Sequence, residues 1–348
     1  MNVADFDYDL PPRFIAQTPL ERRDSSRLMR LDRATGAISH HVFSDIGDML
    51  RPGDVLVLNN TRVIPARLRA RKATGGRVEI LLLKRLDERR WNALVGGRNI
   101  REGAQLAFDG SDLTCSVARE LDKALRIIEF SRPVDGLLCD QGEMPLPPYI
   151  NLALDDAERY QTVYSAIDGS AAAPTAGLHF TRELLDNIQR LGVRVANCTL
   201  HIGLDTFQPV TASRVEDHKI HSEFASLNPE NAAVINESIR AGGRVIAVGT
   251  TSARTLETAA GLAGDKRGDD RRDDRAVAPF ADQTSLFITP GYRWRAVDAL
   301  VTNFHLPRST LLMMLSAFAG RVAILRAYES AKRADYRFYS FGDAMFVG

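Results

Sequence analysis

The feature that most constrains the fold is a series of short, strand-like segments between residues 53 and 130, separated by turn signals. Glycine-containing pairs at residues 75–76, 96–97 and 109–110 divide most of these segments. Strands that recur at a spacing of about 8–12 residues are typical of a small barrel or sandwich. The predicted strands are residues 54–59, 77–84, 91–96, 105–108, 113–119 and 124–130.

The sequence beyond about residue 143 has a different pattern, in which helices and strands alternate. Thr181 is the predicted N-cap of a helix that ends before Gly192, and Asn228 precedes a proline at the start of another helix. Strands are expected near 285–289 and 337–346, and a helical stretch at 308–334. The first 60 residues or so resemble this second pattern, and 348 residues suit two domains. We therefore predict an α/β (α+β) main domain from residues 1–60 and 145–348, with an inserted small antiparallel β-barrel domain at 61–144.

Three widely separated cysteines indicate neither a disulfide framework nor a zinc knuckle, and they fit a reducing compartment. The acidic first ten residues do not resemble a signal peptide. The longest apolar stretch, residues 311–325, is interrupted and shorter than the roughly 18–20 residues that span a bilayer. We therefore expect a cytoplasmic protein without a membrane segment.

The formal net charge of +1 is too low for a protein that coats DNA, but a local basic stripe is enough to bind RNA. The candidate stripe contains six cations, Arg62, Arg67, Arg69, Arg71, Lys72 and Arg77. A solvated strand edge is the more common explanation for such a run, and from the spacing alone it is the favoured one.

Common cofactor motifs are missing from the chain. It contains no GxGxxG after a strand, no GxxxxGK[ST] and no GxSxG. The sequence therefore does not support a nicotinamide-binding fold, a phosphate-binding P-loop or an α/β-hydrolase nucleophile.

Four polar segments remain as candidates for one shared site. In residues 172–180 (AAPTAGLHF), Gly177 would let a ligand approach the backbone, and His179 precedes a helix N-terminus that favours its neutral form. In the second segment, residues 200–210 are followed by His218, His221 and Glu223. These three could bind a metal, but they fit no common zinc spacing, so an acid–base role for His221 and Glu223 is the better interpretation.

The other two segments follow buried strands. In residues 245–257 (VIAVGTTSARTLE), the loop Gly249, Thr250, Thr251 and Ser252 opens a helix, and Arg254 adds a planar cation, which together suit an anion. In residues 298–310 (DALVTNFHLPRST), Asn303 and His305 stand where ligands usually bind in α/β sheets. A well-capped helix and a core histidine remain the structural alternatives.

Nine segments in order resemble one known family. They are NNTRVIPAR (59–67), MPLPPYI (144–150), YQTVY (160–164), AAPTAGLHF (172–180), LHIGLDTFQPV (200–210), HSE (221–223), VIAVGTTSARTLE (245–257), TNFHLP (302–307) and FGDAMF (341–346). The chain resembles the S-adenosylmethionine:tRNA ribosyltransferase-isomerases of queuosine biosynthesis from Asp5 nearly to its last residue.

The resemblance implies a reaction on tRNA carrying 7-aminomethyl-7-deazaguanine at the wobble position. The ribosyl part of S-adenosylmethionine, the co-substrate, is transferred to the aminomethyl group and isomerised to an epoxycyclopentanediol. Epoxyqueuosine-tRNA forms, adenine and methionine leave, and no metal is implied. The fold implied is an α/β domain that carries an inserted barrel, and a monomer is expected.

Site roles follow as expectations from the chemistry that the resemblance implies. The methionine carboxylate is assigned to the loop 249–252 and Arg254, with Gly177 beside the co-substrate. The acid and base candidates are His179, His221, Glu223 and His305, while Asn303 orients a base or the sugar. Arg62 and Arg67 are expected to meet tRNA phosphates.

Two departures and two alternatives stand beside this assignment. Asp205 replaces the glycine usual in the family pattern LHxGxGTF, and the charged segment 263–279 is predicted to be a mobile surface loop. A non-catalytic RNA-binding protein that uses the barrel would bind tRNA without consuming a donor. A methyltransferase would form S-adenosylhomocysteine, but the missing glycine-rich loop argues against it.

Overall fold

The computed structural model describes residues 1–121, 124–203, 210–267 and 275–348, with side chains for all of these except 265–267. Asp205, which departs from the family pattern, lies outside the described residues. The chain divides into two compact units. The larger contains Met1–Thr61, Pro148–Ile167 and Ala173–Gly348, and the smaller contains Arg62–Pro147 and Asp168–Ala172.

Seventeen strands lie in the described part of the chain. They are β1 Arg27–Leu31, β2 Ile38–Val42, β3 Val55–Asn59, β4 Thr61–Val63, β5 Arg67–Lys72, β6 Arg77–Arg85, β7 Arg90–Gly96, β8 Gln105–Ala107, β9 Thr114–Glu120, β10 Leu125–Phe130, β11 Ile167–Ser170, β12 Arg194–Leu200, β13 Glu223–Leu227, β14 Val245–Val248, β15 Phe280–Thr284, β16 Ala299–Asn303 and β17 Ala344–Val347. The α-helices in the same part are α1 Asp135–Gln141, α2 Arg182–Arg190, α3 Pro229–Arg240, α4 Gly249–Arg267, α5 Thr310–Ala319 and α6 Arg321–Arg333.

The larger unit is built on a mixed sheet with the strand order β15-β13-β12-β3-β14-β16-β17-β1-β2. The four central strands β12, β3, β14 and β16 are mutually parallel, so their carboxyl ends meet at one edge. The adjoining strands β13 and β17 run antiparallel to β12 and β16. Polar residues that follow the central strands in the sequence are therefore brought together.

Both faces of this sheet are covered. In β3, Val55 and Val57 face one hydrophobic core, whereas Leu56 and Leu58 face the other. Helices α3 to α6 contribute to the first core, for example through Leu256 of α4, and α2 contributes Ile188 to the second. Burial on both faces explains why the central strands are continuous apolar runs.

Local signals fix the helices as expected. The Thr181 hydroxyl accepts from the backbone N–H of Leu184 at the start of α2, and the Asn228 side chain caps α3, which has Pro229 at its first position. The predicted helical stretch 308–334 is divided into two helices. Gly320, at φ +83°, separates α5 from α6, and the two helices are bent by 113°.

The smaller unit contains a closed barrel with the strand order β10-β7-β6-β5-β8-β9, and every neighbouring pair is antiparallel. Along β7, the buried residues Trp91, Ala93 and Val95 alternate with more exposed ones, as a barrel wall requires. The predicted fold class, an α/β domain with a small antiparallel barrel, is confirmed.

Two further expectations meet the structure only in part. Helix α4 continues to Arg267, so residues 263–267 of the predicted surface loop are helical, and residues 268–274 lie outside the described part. In the described ranges, no single helix is long and apolar enough to cross a membrane; α5 and α6 pass such a test only as a bent pair.

Candidate functional site

A cavity of about 610 Å³, which includes space open to solvent, lies at the carboxyl ends of the central strands. Its walls come from residues 173–176, from 249–251 after β14 and from 302–306 at the end of β16, with Tyr149, Ile202 and Tyr339 among the others. Three of the four predicted polar segments therefore meet here, and the second contributes Ile202. This is the edge of an α/β sheet where ligands usually bind.

Asn303 links two of these segments at the end of β16. Its Nδ2 donates to the backbone carbonyl of Tyr339 at 3.3 Å and lies 3.1 Å from Nε2 of His179. Its Oδ1 accepts from the hydroxyl of Thr175 at 3.0 Å. The amide is only 2% exposed, so these contacts fix its orientation.

His179 contacts the Asn303 side chain and helps to fix its orientation. The Asn303 amide nitrogen can only donate, so Nε2 of His179 accepts, and Nδ1 carries the proton and donates to the Ser26 hydroxyl at 2.8 Å. Burial, and then the charges of Arg337 and Arg23, lower the pKa of His179 to about 3. The imidazole is therefore neutral because of its burial, and not because of the helix N-terminus on which the prediction rested. It does not line the cavity, and both ring nitrogens are engaged within the protein.

His305 lines the cavity itself. Its Nε2 lies 2.7 Å from the Thr302 hydroxyl, which donates to the carbonyl of Asn303. The backbone is anchored on both sides, because His305 N–H donates to the Tyr328 hydroxyl and its carbonyl accepts from Tyr8. Burial lowers the pKa of His305 to about 3, so this imidazole is neutral as well.

The predicted anion loop is the first turn of α4. Gly249 has φ +87°, a conformation that favours glycine, and it lines the cavity together with Thr250 and Thr251. Ser252 does not line the cavity, because it points into the core and is 0% exposed. Of the four loop residues predicted to bind the co-substrate, the structure places three at the cavity.

Arg254 and Glu223 form a buried ion pair. Arg254 Nη1 lies 2.5 Å from Glu223 Oε2, while Nη2 donates to the carbonyls of His221 and Thr284. Glu223 Oε1 also accepts from the backbone N–H of Gly203 at 2.9 Å. Neither side chain lines the cavity, and both terminal nitrogens of Arg254 contact protein groups, whereas within the described ranges its Nε is buried without a hydrogen-bond partner. The pair ties α4 to the strands beside it, which accounts for both residues structurally.

The remaining predicted residues of the larger unit lie elsewhere. The His221 side chain is exposed and not part of the cavity wall. Gly177 is buried beside Tyr164, and a Cβ at this position would lie 1.9 Å from the Tyr164 hydroxyl oxygen. An internal contact therefore explains this glycine, rather than the close approach of a ligand that the sequence suggested.

We expect Gly177→Ala to destabilise the larger unit by at least about 3 kcal/mol, the upper range of overpacking, since the new methyl overlaps Tyr164. Tyr164→Phe removes the overlapping hydroxyl, which is buried without a hydrogen-bond partner, so it should be tolerated alone. Urea unfolding of both single variants and the double variant measures the coupling. If Gly177→Ala lowers the free energy of unfolding equally in the wild-type and in the Tyr164→Phe background, this contact is not the cause.

In the smaller unit, the basic stripe is largely neutralised. Arg62 lies 4.0 Å from Asp168, and Arg67 lies 3.9 Å from Glu79. Arg69 and Arg71 pair with Glu143 and Asp109. Across the described ranges, no group of three or more His, Cys, Asp or Glu side chains could hold a metal ion.

Sequence reasoning missed two residues that shape the cavity. Asn59, at the end of β3, is 0% exposed and donates to the Thr251 hydroxyl at 3.1 Å. Thr175 lines the cavity and donates to Asn303. A buried asparagine that ends an apolar strand was a usable signal for Asn59, whereas nothing in the residues around Thr175 distinguishes it from a turn threonine.

Comparison with known proteins decides the family. A family model described as queuosine biosynthesis protein matches residues 3–347. The chain belongs to this family. A relative from Symbiobacterium thermophilum, named S-adenosylmethionine:tRNA ribosyltransferase-isomerase, is 53% identical over 351 residues, and the alignment covers all of both chains. One of the same name from Acetivibrio thermocellus is 50% identical, again with both chains covered completely.

A solved structure agrees with these relatives. The S-adenosylmethionine tRNA ribosyltransferase from Thermotoga maritima is 38% identical, with a TM-score of 0.56, and the match covers 99% of this chain and 100% of that one. The predicted membership of the queuosine biosynthesis family, and the prediction that the chain is a transferase-isomerase, are confirmed. The roles assigned to individual residues stay predictions.

Proposed function

We propose that this queuosine biosynthesis protein transfers and isomerises the ribosyl moiety of S-adenosylmethionine onto 7-aminomethyl-7-deazaguanine at the wobble position of tRNA. The products are epoxyqueuosine-tRNA, adenine and methionine. The observation that carries the proposal is identity of 50–53% over the full length of two relatives with that transferase-isomerase name. Cytoplasmic location, a monomeric state and the absence of a metal cofactor stay predictions.

The cavity supports this proposal because it offers an anion site for the methionine carboxylate. The N-terminal turn of α4 presents backbone N–H groups and the hydroxyls of Thr250 and Thr251. Thr250 is 8% exposed, and within the described ranges its hydroxyl has no hydrogen-bond partner. We therefore keep Gly249, Thr250 and Thr251 as co-substrate residues and assign Arg254 and Ser252 to supporting the helix.

His305 is the cavity histidine that we assign to the reacting centre. The Thr302 hydroxyl lies 2.7 Å from Nε2 of His305 and 3.3 Å from the Asn303 carbonyl. We assign the hydroxyl proton to that carbonyl, so that Nε2–H of His305 donates to Thr302 and Nδ1 keeps a lone pair. Within the described residues Nδ1 has no hydrogen-bond partner. A neutral imidazole can accept a proton from the carbon beside the sulfonium or from the attacking amine. His179 acts through Asn303, and His221 and Glu223 are left without a direct part.

The reaction needs an ordered sequence of proton transfers. The aminomethyl nitrogen must be neutral before it attacks, a proton must leave the carbon beside the sulfonium, and departing adenine must gain one. The test is to incubate the protein with S-adenosylmethionine and tRNA bearing the aminomethyl base, and to quantify small products by mass spectrometry. Adenine and methionine in equal amounts support the proposal. S-adenosylhomocysteine would indicate methyl transfer, and tRNA binding without donor consumption a binding protein.

For tRNA, cations without a carboxylate partner are better candidates than Arg62 and Arg67. In the described part of the chain, Lys72, Arg77, Arg98 and Arg101 have no carboxylate oxygen within 4.0 Å. They cluster at one end of the barrel, where Lys72 Nζ donates to the carbonyl of Arg98 at 2.8 Å. We propose that this end of the barrel, with a smaller part for Arg62 and Arg67, contacts phosphates.

Replacing all four cations with glutamine is expected to flatten the dependence of tRNA affinity on salt. Each lost phosphate contact lowers the slope of log K against log salt by roughly 0.7–0.9, so a fall of about 2–4 is expected. The matched control replaces Arg85, Arg89, Arg90 and Arg132, all paired with carboxylates, and its slope should change less. Equal changes in the two variants would contradict a specific surface at this end.

A further inference from the structure

Two asparagines set the hydrogen-bond direction of two threonine hydroxyls that line the cavity. Asn59 Oδ1 accepts from the backbone N–H groups of Leu200 at 3.0 Å and Thr61 at 3.2 Å, and Nδ2 donates to the Leu200 carbonyl. These contacts fix the amide, so Nδ2 is the atom that faces Thr251 Oγ1 at 3.1 Å. The Thr251 hydroxyl therefore accepts from Asn59, and its proton remains to donate.

Asn303 has the opposite effect on Thr175. Its Nδ2 faces the Tyr339 carbonyl and the accepting nitrogen of His179, so its Oδ1 faces Thr175. The Thr175 hydroxyl donates its proton to this oxygen at 3.0 Å, so its lone pairs remain to accept a hydrogen bond from a ligand. The cavity thus has one hydroxyl poised to donate and one poised to accept.

The segments that carry these hydroxyls lie close together. A Cβ built on Gly249 would be 3.6 Å from the Cβ of Ala176, the neighbour of Thr175, and 3.6 Å from Thr251 Oγ1. The donor hydroxyl also lies in the first turn of α4, where backbone N–H groups and the unpartnered Thr250 hydroxyl favour negative charge. A donor site for an anion and an acceptor for a cation are therefore neighbours.

We propose that the hydroxyls of Thr251 and Thr175 together recognise the zwitterionic α-amino acid end of the ligand. The Thr251 hydroxyl and the α4 N-terminus bind the carboxylate, and Thr175 Oγ1 accepts from the ammonium group. Asn59 and Asn303 are positioning residues: Asn59 makes the Thr251 hydroxyl a donor, and Asn303 makes the Thr175 hydroxyl an acceptor. This inference rests on the proposed function, in which the sulfonium donor brings a methionine moiety into the cavity.

Calorimetric titration of Thr251→Val and Thr175→Val with three ligands tests the proposal. The ligands are S-adenosylmethionine, its decarboxylated analogue and an analogue in which hydrogen replaces the amino group. Hydrogen bonds to charged groups are worth roughly ten- to hundred-fold in affinity. Thr251→Val should lower the affinity for S-adenosylmethionine by that factor but leave the affinity for the decarboxylated analogue unchanged. Thr175→Val should lower the affinity for S-adenosylmethionine but not the affinity for the analogue without the amino group.

A matched control and a positioning variant sharpen the result. Thr199→Val also removes a buried hydroxyl that donates to an asparagine, Asn60, but it lies outside the cavity wall, so its affinities should equal those of the wild type. Asn59→Asp turns the donor toward Thr251 into an acceptor, so its loss should be confined to ligands with a carboxylate. A merely structural role would weaken all three ligands.

The outcomes separate this inference from the proposed function. If both valine variants weaken the analogues as much as S-adenosylmethionine, the two hydroxyls do not read the amino acid end, and this inference alone is overturned. If the wild-type protein binds none of the three ligands, both proposals fail. Losses that follow the functional groups, with Thr199→Val unchanged, support the inference.

Discussion

His305→Ala is expected to lower kcat by roughly 10²–10⁴-fold, the usual contribution of a positioned acid–base group. His305 lines the cavity wall, and its Nε2 is held by the Thr302 hydroxyl at 2.7 Å. Its pKa of about 3 means that it does not titrate between pH 5 and 8, so the loss should be equal across that range. Single-turnover adenine release measures the effect.

His41→Ala is the matched control for this variant. His41 lies on β2, the strand at the far edge of the sheet, and its ring contacts Ser39 at 2.8 Å. Its turnover should equal that of the wild type. The affinity of His305→Ala for S-adenosylmethionine shows whether the cavity is intact. Turnover within a factor of two of the wild type would remove His305 from the reacting centre.

Glu223→Ala is expected to destabilise the larger unit by about 3–5 kcal/mol, because it leaves the Arg254 charge buried without its partner. The side chains of Glu223 and Arg254 are only 10% and 8% exposed. Urea unfolding, followed by the fluorescence of Trp294 in a Trp91→Phe background, reports this unit alone. Replacing both partners, in Glu223→Leu/Arg254→Met, should recover much of the stability.

Glu237→Ala is the comparison for this effect. Glu237 pairs with Arg194 at 2.7 Å, but the two side chains are 54% and 45% exposed, so the loss should stay below about 1 kcal/mol. A loss in Glu223→Ala as small as that in Glu237→Ala would mean that the buried pair does not hold α4 to its neighbouring strands.

Local sequence signals were sufficient for most of the framework. Five of the six barrel strands were predictable from the spacing of turns, whereas β5 was not among the predicted strands and 54–59, predicted with them, is β3 of the mixed sheet. Helices α2 and α3 were predictable from the capping residues Thr181 and Asn228. The strand expected near 285–289 was wrong in its position, because the strand is β15, Phe280–Thr284, whose residues are mostly polar. Its strand state comes from pairing with β13, a long-range contact that no local pattern contains.

For the candidate site, the sequence could predict the location but not the role of each residue. The rule that ligands bind at the carboxyl ends of parallel strands correctly placed Gly249, Asn303 and His305 at one cavity. It could not show that Arg254 pairs with Glu223, that Gly177 makes room for Tyr164, or that the Asn303 amide sets the tautomer of His179. Each of these depends on a partner that is distant in the sequence, so residue type alone leaves the role undetermined.

The measurement that tests the central claim most directly follows the carbon atoms of the donor. The protein is incubated with tRNA bearing the aminomethyl base and with S-adenosylmethionine labelled with ¹³C in all ribose carbons, and in a parallel reaction only in the methyl group. We expect the modified nucleoside to gain the ribose label and none of the methyl label. Methyl label in the tRNA, or donor consumption with no label transferred, would contradict ribosyl transfer.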